Sequence, residues 1–401
     1  MVGTATTIKT DSDALQGLIG HIRLGTTDQA DAQLIVPTTQ YFDPHRAARE
    51  RDLLKSLPLI VAHGSEVPEP GCFVTRDLLG VSLLVVRQKD RSIKVYRNMC
   101  LHRGGKVELE DKGKRSIFMC QYHGWAFAAA EGGALKVVPN EETSGGIDKG
   151  CKSLIELASE VRHGLVFARL SEGELPSLAD YLTADVDAAI APWNLEDSVV
   201  YMEHVLEMPI NWKLVMDGAI DSLHAPFLHN KPGGVGSRSV GHAMVFREFG
   251  KHGKMIMARR RLKKLVDAGE APAANSSYMA SVMMLYPNSL YVEAPDHVEL
   301  WSVWPHPSDA KKCTVKIRFM VRTGILTPEI EDRVNRSWDV LKFAGMEEDF
   351  PMEETIQANA EAWPGGTYVY GRNEKSAQHL HRQLFRDIDG GVSGPGTLVM
   401  A

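Results

Sequence analysis

Two short runs carry the first chemical signal, Cys100-Leu101-His102 and, after an interval of seventeen residues, Cys120-Gln121-Tyr122-His123. Each supplies one thiolate and one imidazole from a few residues of chain. Two such loops brought together make a Cys₂His₂ set able to hold zinc or an iron–sulfur cluster. The donors alone do not choose between these. A second group begins at Asn211-Trp212-Lys213-Leu214 and takes in Asp217, Asp221, His224 and His229. On a helix, Asp217, Asp221 and His224 stand at i, i+4 and i+7 and share a face. Pro226 then disturbs the helix and re-aims the chain before His229. Two lone histidines are more often packing or surface residues than ligands, but two acids on the same face favour a metal site.

The elements that must position these groups fall into two textures. From Leu57 to about Leu170 the chain runs in short β-rich pieces broken by glycine. Strands are expected at Cys72–Thr75, Val81–Arg87, Ile93–Arg97, Arg115–Met119 and Gly164–Ala168, with turns at Asp77–Gly80 and Lys89–Arg91. The segment reads as a small all-β domain, 47–170, whose loops bear Cys100, His102, Cys120 and His123. The remainder, 1–46 with 171–401, reads as a larger domain. Its first forty residues show no strong periodicity beyond an expected helix near Asp28–Leu34. Ser171–Trp193 is helical in part, and Val199–Leu206 is a strand. Asn211 opens a helix expected to reach Leu228. Alternating runs at Ala243–Phe249, Met255–Arg261, Tyr278–Tyr286, Ser289–Ala294, Glu299–Pro305 and Cys313–Val321 predict one broad antiparallel sheet. Helices follow from Thr327-Pro328 towards Gly345, over Asp349–Trp363 and over Ala377–Ile388. The fold class is therefore α+β, a small β domain inserted before a larger domain with a broad antiparallel sheet flanked by helices, of helix-grip type.

Bulk composition narrows the function classes. The 401 residues carry 45 basic and 51 acidic side chains, net −6. That balance gives no electrostatic case for nucleic acid. Five cysteines in so long a chain make no disulfide framework. No signal peptide and no membrane-spanning run are visible, so the expected compartment is cytoplasmic.

The stretches Cys100-Leu101-His102-Arg103-Gly104 and Cys120-Gln121-Tyr122-His123-Gly124-Trp125 closely resemble the two cluster-binding loops of Rieske proteins. The resemblance implies a [2Fe–2S] cluster with both cysteines on one iron and both histidines on the other, and Trp125 and Phe127 packed over it. Asn211-Trp212-Lys213-Leu214 followed by Asp221-x-x-His224-x-x-x-x-His229 resembles the catalytic segment of Rieske-type aromatic ring-hydroxylating oxygenase α subunits. On that resemblance His224 and His229 hold a mononuclear Fe(II). Non-haem Fe(II) oxygenases use two histidines and one carboxylate, and the family's downstream acidic helix is matched at Glu348–Gln357, which selects Asp349. Glu348, Glu353 and Glu354 rank below it, since a run of acids is usually a solvated face. Asp221 is expected to bridge a cluster histidine, His123, of one subunit to His224 of the next. Asp217 lies where the family often has an acid or amide near the iron.

The implied activity is that of the terminal oxygenase of a multicomponent system, hydroxylating or dihydroxylating an aromatic or related small organic substrate with O₂. The alternatives are oxidative O- or N-demethylation or, from another class, a zinc-stabilised binding module. No Gly-x-Gly-x-x-Gly fingerprint for NAD(P)H is present, so electrons must come through a separate reductase, with or without a ferredoxin. A homotrimer, with or without β subunits, is the family expectation. Val282–Leu285 could line a substrate pocket or simply be core. Arg259, Arg260 and Arg261 could meet a carboxylated substrate or dock an acidic ferredoxin. On a strand, Arg260 would point away from its two neighbours.

Overall fold

The computed structural model describes residues 5–390, apart from 232, 233, 235, 237, 271 and 273–276. The chain divides into two compact units: one takes in residues up to Leu53, Leu182–Asn194 and everything from Tyr201, and the other Leu54–Tyr181 with Leu195–Val200. Among the described residues no helix is long and apolar enough to cross a membrane.

The smaller unit is all-β. A five-stranded sheet runs in the order Glu156–Leu157, Ile93–Arg97, Val81–Arg87, Cys72–Leu78, Lys112–Lys114, beside two three-stranded sheets. The turn between Cys72–Leu78 and Val81–Arg87 places Leu79 and Gly80 at φ 53° and 79°, the left-handed pair that suits the twist of a two-residue hairpin. One three-stranded sheet, Ile117–Met119, Ala126–Ala128 and Leu135–Val137, carries the Cys120 loop at its first turn. Phe73, Phe118, Phe127, Tyr96 and Leu154 form the core against which Cys100, Cys120 and Trp125 are packed.

The larger unit is built on a seven-stranded antiparallel sheet. Its order is Ser198–Met208, Cys313–Arg322, Val298–Pro305, Ser289–Glu293, Met279–Leu285, His252–Arg259, Ser239–Phe249. Val282, Met283, Met284 and Leu285 are all buried in an interior strand of this sheet. The helix Ala5–Leu24 buries Ala14, Leu15, Leu18, Ile19 and Ile22 against Val245 and Ala258, with Leu262 and Val266 closing the same cluster. That spacing is a helical face.

Several expectations are corrected. No helix covers Asp28–Leu34; the helix lies earlier, at Ala5–Leu24, and Leu34–Pro37 is a strand. Asp28 is tied to the sheet instead: its backbone N–H donates to Met244 O, and its carboxylate accepts from Phe246 N at 2.9 Å. The strand entered at Met255 stops at Arg259, and Arg260–Asp267 is helical. The strand alternation argued for the three arginines therefore does not apply. The helix from Asn211 ends at Ala219, and a separate short helix spans Ala225–Leu228, so Asp217, Asp221 and His224 do not share one helical face. Towards the C-terminus, Pro328–Leu341 and Phe350–Ala362 are joined through a π-helical segment, Lys342–Asp349, rather than separated.

Candidate metal centres

The two Cys/His loops close in the same way. Gly104 N donates to Cys100 O and Gly124 N to Cys120 O, each at 2.9 Å. Both glycines adopt positive φ, 79° and 72°, which a side chain would strain. The result sorts the four donors. Cys100 and Cys120 are buried, whereas His102 is exposed and His123 partly so. The two imidazoles bring their Nδ1 atoms to 3.1 Å of each other. Trp125 stacks flat on His102, ring centres 5.1 Å apart and planes 7° from parallel. Burial pushes the Cys100 thiol above its ordinary range, and its neighbour Cys120 adds to the effect. Sulfur within and nitrogen without suits a two-iron cluster, which takes thiolates at one iron and imidazoles at the other.

In the larger unit the local fold assembles a second set. Asn211 caps the helix Trp212–Ala219 by accepting from Lys213 N at 3.0 Å. After that helix, Asp221 folds the chain over its own side chain, accepting from Leu223 N at 2.7 Å and His224 N at 3.3 Å. A carboxylate competing for backbone donors in this way ends a helix locally. The one-turn helix Ala225–Leu228 then separates His224 from His229. Their Nε2 atoms lie 3.2 Å apart. Asp349 Oδ1 completes the group at 3.1 Å from His229 Nε2 and 3.6 Å from His224 Nε2. The three residues can offer ligand atoms all within 4.8 Å of one another. Two histidines and one carboxylate on one side of an ion are the donor set that suits Fe(II) and leaves positions open.

Both rings are held from behind. His224 Nδ1 donates to Asp221 Oδ2 at 3.0 Å, and His229 Nδ1 to Glu348 Oε2 at 2.7 Å. The acidic run after Met346 is thus not a uniformly solvated face: Glu347 and Glu354 are exposed, but Glu348 and Glu353 are buried. Burial would lower the His229 pKa, but Asp349 and Glu348 overcome it and hold the ring above its ordinary range. Burial, reinforced by the Asp349 and Asp217 charges, keeps the Glu353 carboxyl well above the usual range.

Among the described residues, the hydrogen bonds of Asp217 go to neither His224 nor His229. Its carboxylate accepts from Tyr370 Oη at 2.6 Å and His381 Nε2 at 2.9 Å. Tyr41, whose Oη also reaches Asp217 at 3.4 Å, Tyr370 and His381 carried no signal in the sequence, because each partner is remote in the chain, while Glu348, ranked below Asp349 as a ligand, stands behind His229 instead. Asp217, Asp221, Glu353, Tyr370 and Glu374 line an open pocket of ≈ 440 Å³. Of the three arginines, Arg259 is bonded to Met279 O, and burial with Arg238 and Arg261 beside it lowers its pKa.

Comparison with known proteins finds two domain families in the chain. The Rieske [2Fe-2S] domain family matches residues 58–156, and the ring hydroxylating alpha subunit (catalytic domain) family matches 195–390. The chain is 30% identical over 178 residues to the carnitine monooxygenase oxygenase subunit of Acinetobacter pittii (strain PHEA-2), covering 43% of this chain and 46% of that protein. It is 39% identical over 127 residues to the large oxygenase component of the naphthalene 1,2-dioxygenase system of Pseudomonas aeruginosa, covering 31% of this chain and 28% of that protein. The matched stretches thus span under half the length of these curated relatives. Among solved structures, the apo form of a quaternary ammonium Rieske monooxygenase superposes with TM-score 0.71 at 20% identity, covering 88% of this chain and 96% of that one. Two domain families in this order, on this fold, define a class of protein: the chain belongs to the Rieske non-haem iron oxygenases, as an α (oxygenase) subunit. Members are oxidoreductases that use a [2Fe–2S] cluster and a mononuclear iron.

Proposed function

We propose that this chain is the terminal oxygenase of a multicomponent system that hydroxylates or dihydroxylates an aromatic or related small organic substrate. Cys100, His102, Cys120 and His123 would hold the cluster, and His224, His229 and Asp349 the mononuclear Fe(II). The compact unit Leu54–Tyr181 would be the Rieske domain, sharing its core with the 47–170 span expected from sequence. The observation that carries the reading is the convergence of His224, His229 and Asp349, with each ring's outer nitrogen claimed by a separate carboxylate. Two Nε2 atoms 3.2 Å apart repel as bare lone pairs, and a proton on one ring or a metal ion between them relieves that repulsion.

When bound, the iron centres supply electron storage and dioxygen activation, the part of the chemistry that side chains cannot provide. The chain's residues position and insulate. Asp221 and Glu348 fix the tautomers, Trp125 covers one face of His102, and the buried cysteines keep the inner end of the cluster site dry. Asp221 also lines the open pocket, so its carboxylate can be approached from outside. This supports its role as the bridge to a cluster histidine of another subunit, His123. Electrons would come from NAD(P)H through a separate reductase, with or without a ferredoxin, to a homotrimer with or without β subunits.

The likeness to a carnitine monooxygenase subunit favours a second reading, in which the substrate carries a quaternary ammonium group and is mono-oxygenated or demethylated. Oxygen uptake and product mass under labelled dioxygen, with NADH and a surrogate reductase, separate the two. The panel holds neutral aromatics, aromatic carboxylates, methoxy compounds and carnitine-like quaternary ammonium compounds. Two labelled atoms in a ring product support dihydroxylation. One labelled atom in a ring product supports mono-hydroxylation under the same first reading, whereas one labelled atom in, or a methyl lost from, a quaternary ammonium compound supports the second. No substrate-stimulated uptake by protein carrying both irons counts against both.

A further inference from the structure

We infer that Glu348 is a positioning residue of the mononuclear site: it accepts the hydrogen bond of His229 Nδ1–H, so that the ring meets the metal through Nε2, and the Lys231 charge stands beside its other oxygen. This rests on the reading that His224, His229 and Asp349 hold a divalent cation. The geometry is specific. Glu348 and Asp349 are neighbours in sequence, yet they reach opposite edges of one imidazole. Glu348 Oε2 lies 2.7 Å from His229 Nδ1, and Asp349 Oδ1 lies 3.1 Å from His229 Nε2. Consecutive residues of a regular α-helix point roughly 100° apart, which does not readily let both embrace one ring. Here they are the last two residues of the π-helical segment Lys342–Asp349, the kind of local widening found often at functional sites.

The environment assigns the roles. The Glu348 and His229 side chains are each only 4% exposed, whereas Asp349 is 25% exposed. A carboxylate in that setting persists only if it is paired and hydrogen-bonded. Glu348 accepts a hydrogen bond from the His229 ring through Oε2, while Oε1 accepts none and has only the Lys231 charge 3.2 Å away. A neutral imidazole has one N–H to give. With Glu348 accepting at the shorter distance, that proton lies on Nδ1, and the Nε2 lone pair faces Asp349 and His224. Asp221 does the same for His224 from the other side, so the two rings present identical tautomers to one point. A carboxylate behind a metal-bound imidazole orients the ring and raises its basicity. The Lys231 charge would offset the second carboxylate so placed. Lys231 also lies over the Phe343 ring, 4.9 Å from its centre, which ties it to the same π segment.

The test uses the cluster-loaded full chain, depleted of the mononuclear metal and titrated anaerobically with Fe(II) in competition with a chelator. Wild type should take up one ion per chain beyond the cluster. Glu348→Ala should bind it about 10–100-fold more weakly, the range found when such an outer carboxylate is removed. Glu348→Gln should fall between, because its amide oxygen still accepts from Nδ1. Glu354→Ala, an exposed acid of the same run, should bind as wild type does. Cluster absorbance and far-UV circular dichroism report whether each variant is folded, and Glu348→Gln carries the test if Glu348→Ala is not. A second readout follows the ring itself: ¹⁵N shifts of His229 in metal-depleted protein at alkaline pH should show an Nδ1–H tautomer in wild type and a mixture in Glu348→Ala. Unchanged affinity and an unchanged tautomer in the variants would overturn the assignment of Glu348. Failure of wild type to bind any ion beyond the cluster would instead overturn the His224, His229 and Asp349 reading beneath it.

Discussion

At the scale of single residues, the two proposed centres differ in what holds their imidazoles. His102 and His123 lie towards the surface, with Trp125 stacked on the first and the Tyr122 ring tilted against the second, while His224 and His229 each have a carboxylate at the outer nitrogen. Cys100→Ser should remove a soft ligand the cluster needs, and His123→Ala should do likewise. Both should lose the visible cluster absorbance. His224→Ala should keep that absorbance while losing the mononuclear iron and turnover, as metal analysis and oxygen uptake would show. Retention of turnover in His224→Ala would sink the site assignment. Asp221→Asn makes a finer cut, because the amide oxygen can still accept from His224 Nδ1 while the negative charge is gone. Both metals should remain bound, and single-turnover decay of the reduced-cluster spectrum should slow by about 10-fold or more. A rate equal to wild type would reject the bridging role.

At the scale of elements, the helix Trp212–Ala219 is held by a buried charge network. Lys213 Nζ lies 2.8 Å from both Glu50 oxygens, Trp212 Nε1 donates to Glu50 at 2.9 Å, and Arg46 adds a bond at 3.0 Å. Removing one partner strands a buried charge, which costs about 3–5 kcal/mol. Lys213→Met should lower the melting temperature accordingly and weaken iron loading, since Asp221 and His224 follow from this helix. Burial alone would raise the Glu50 pKa, but Lys213 and Arg46 hold it below the ordinary carboxylate value. A group depressed on folding contributes stability above its unfolded pKa and loses it as pH falls through the folded value. Glu50→Gln should therefore flatten the acid limb of the stability curve, read by denaturant melts from neutral to low pH.

The same elements show what a sequence displays and what it hides. The cluster loops were legible because their four donors and two left-handed glycines lie within short runs. The sheet was legible through its alternation, strand by strand. The helix from Asn211 stops short of Pro226, the first breaker the sequence displays, because Asp221 has already turned the chain with its own carboxylate. The face argued for Asp217, Asp221 and His224 failed with it, although Asp221 and His224 still meet through a three-residue turn. Glu50 under Lys213 and Glu348 behind His229 were not legible at all, since no local pattern announces a contact across such separations.

At the scale of the whole molecule, the question is which copy's cluster serves which iron. The pocket lined by Asp221 is open, and three further acids, Asp217, Glu353 and Glu374, share its wall. Such a wall favours a positively charged or hydrogen-bond-donating visitor, and an exposed imidazole of another subunit is of that kind. If electrons pass from one subunit's cluster through the next subunit's Asp221, the two defects should complement in trans. Chains carrying Cys100→Ser keep a working iron site, and chains carrying His224→Ala keep a working cluster. Each homogeneous variant should be inactive. Co-expressed in one cell and purified through two different tags, mixed oligomers should regain a substantial fraction of wild-type oxygen uptake, because some interfaces pair an intact cluster with an intact iron. Placing both substitutions on one chain and mixing it with wild type controls for simple dilution. Transfer confined within a single chain would leave the mixed oligomers as inactive as their parents, and the bridge assigned to Asp221 would then have to act within one subunit.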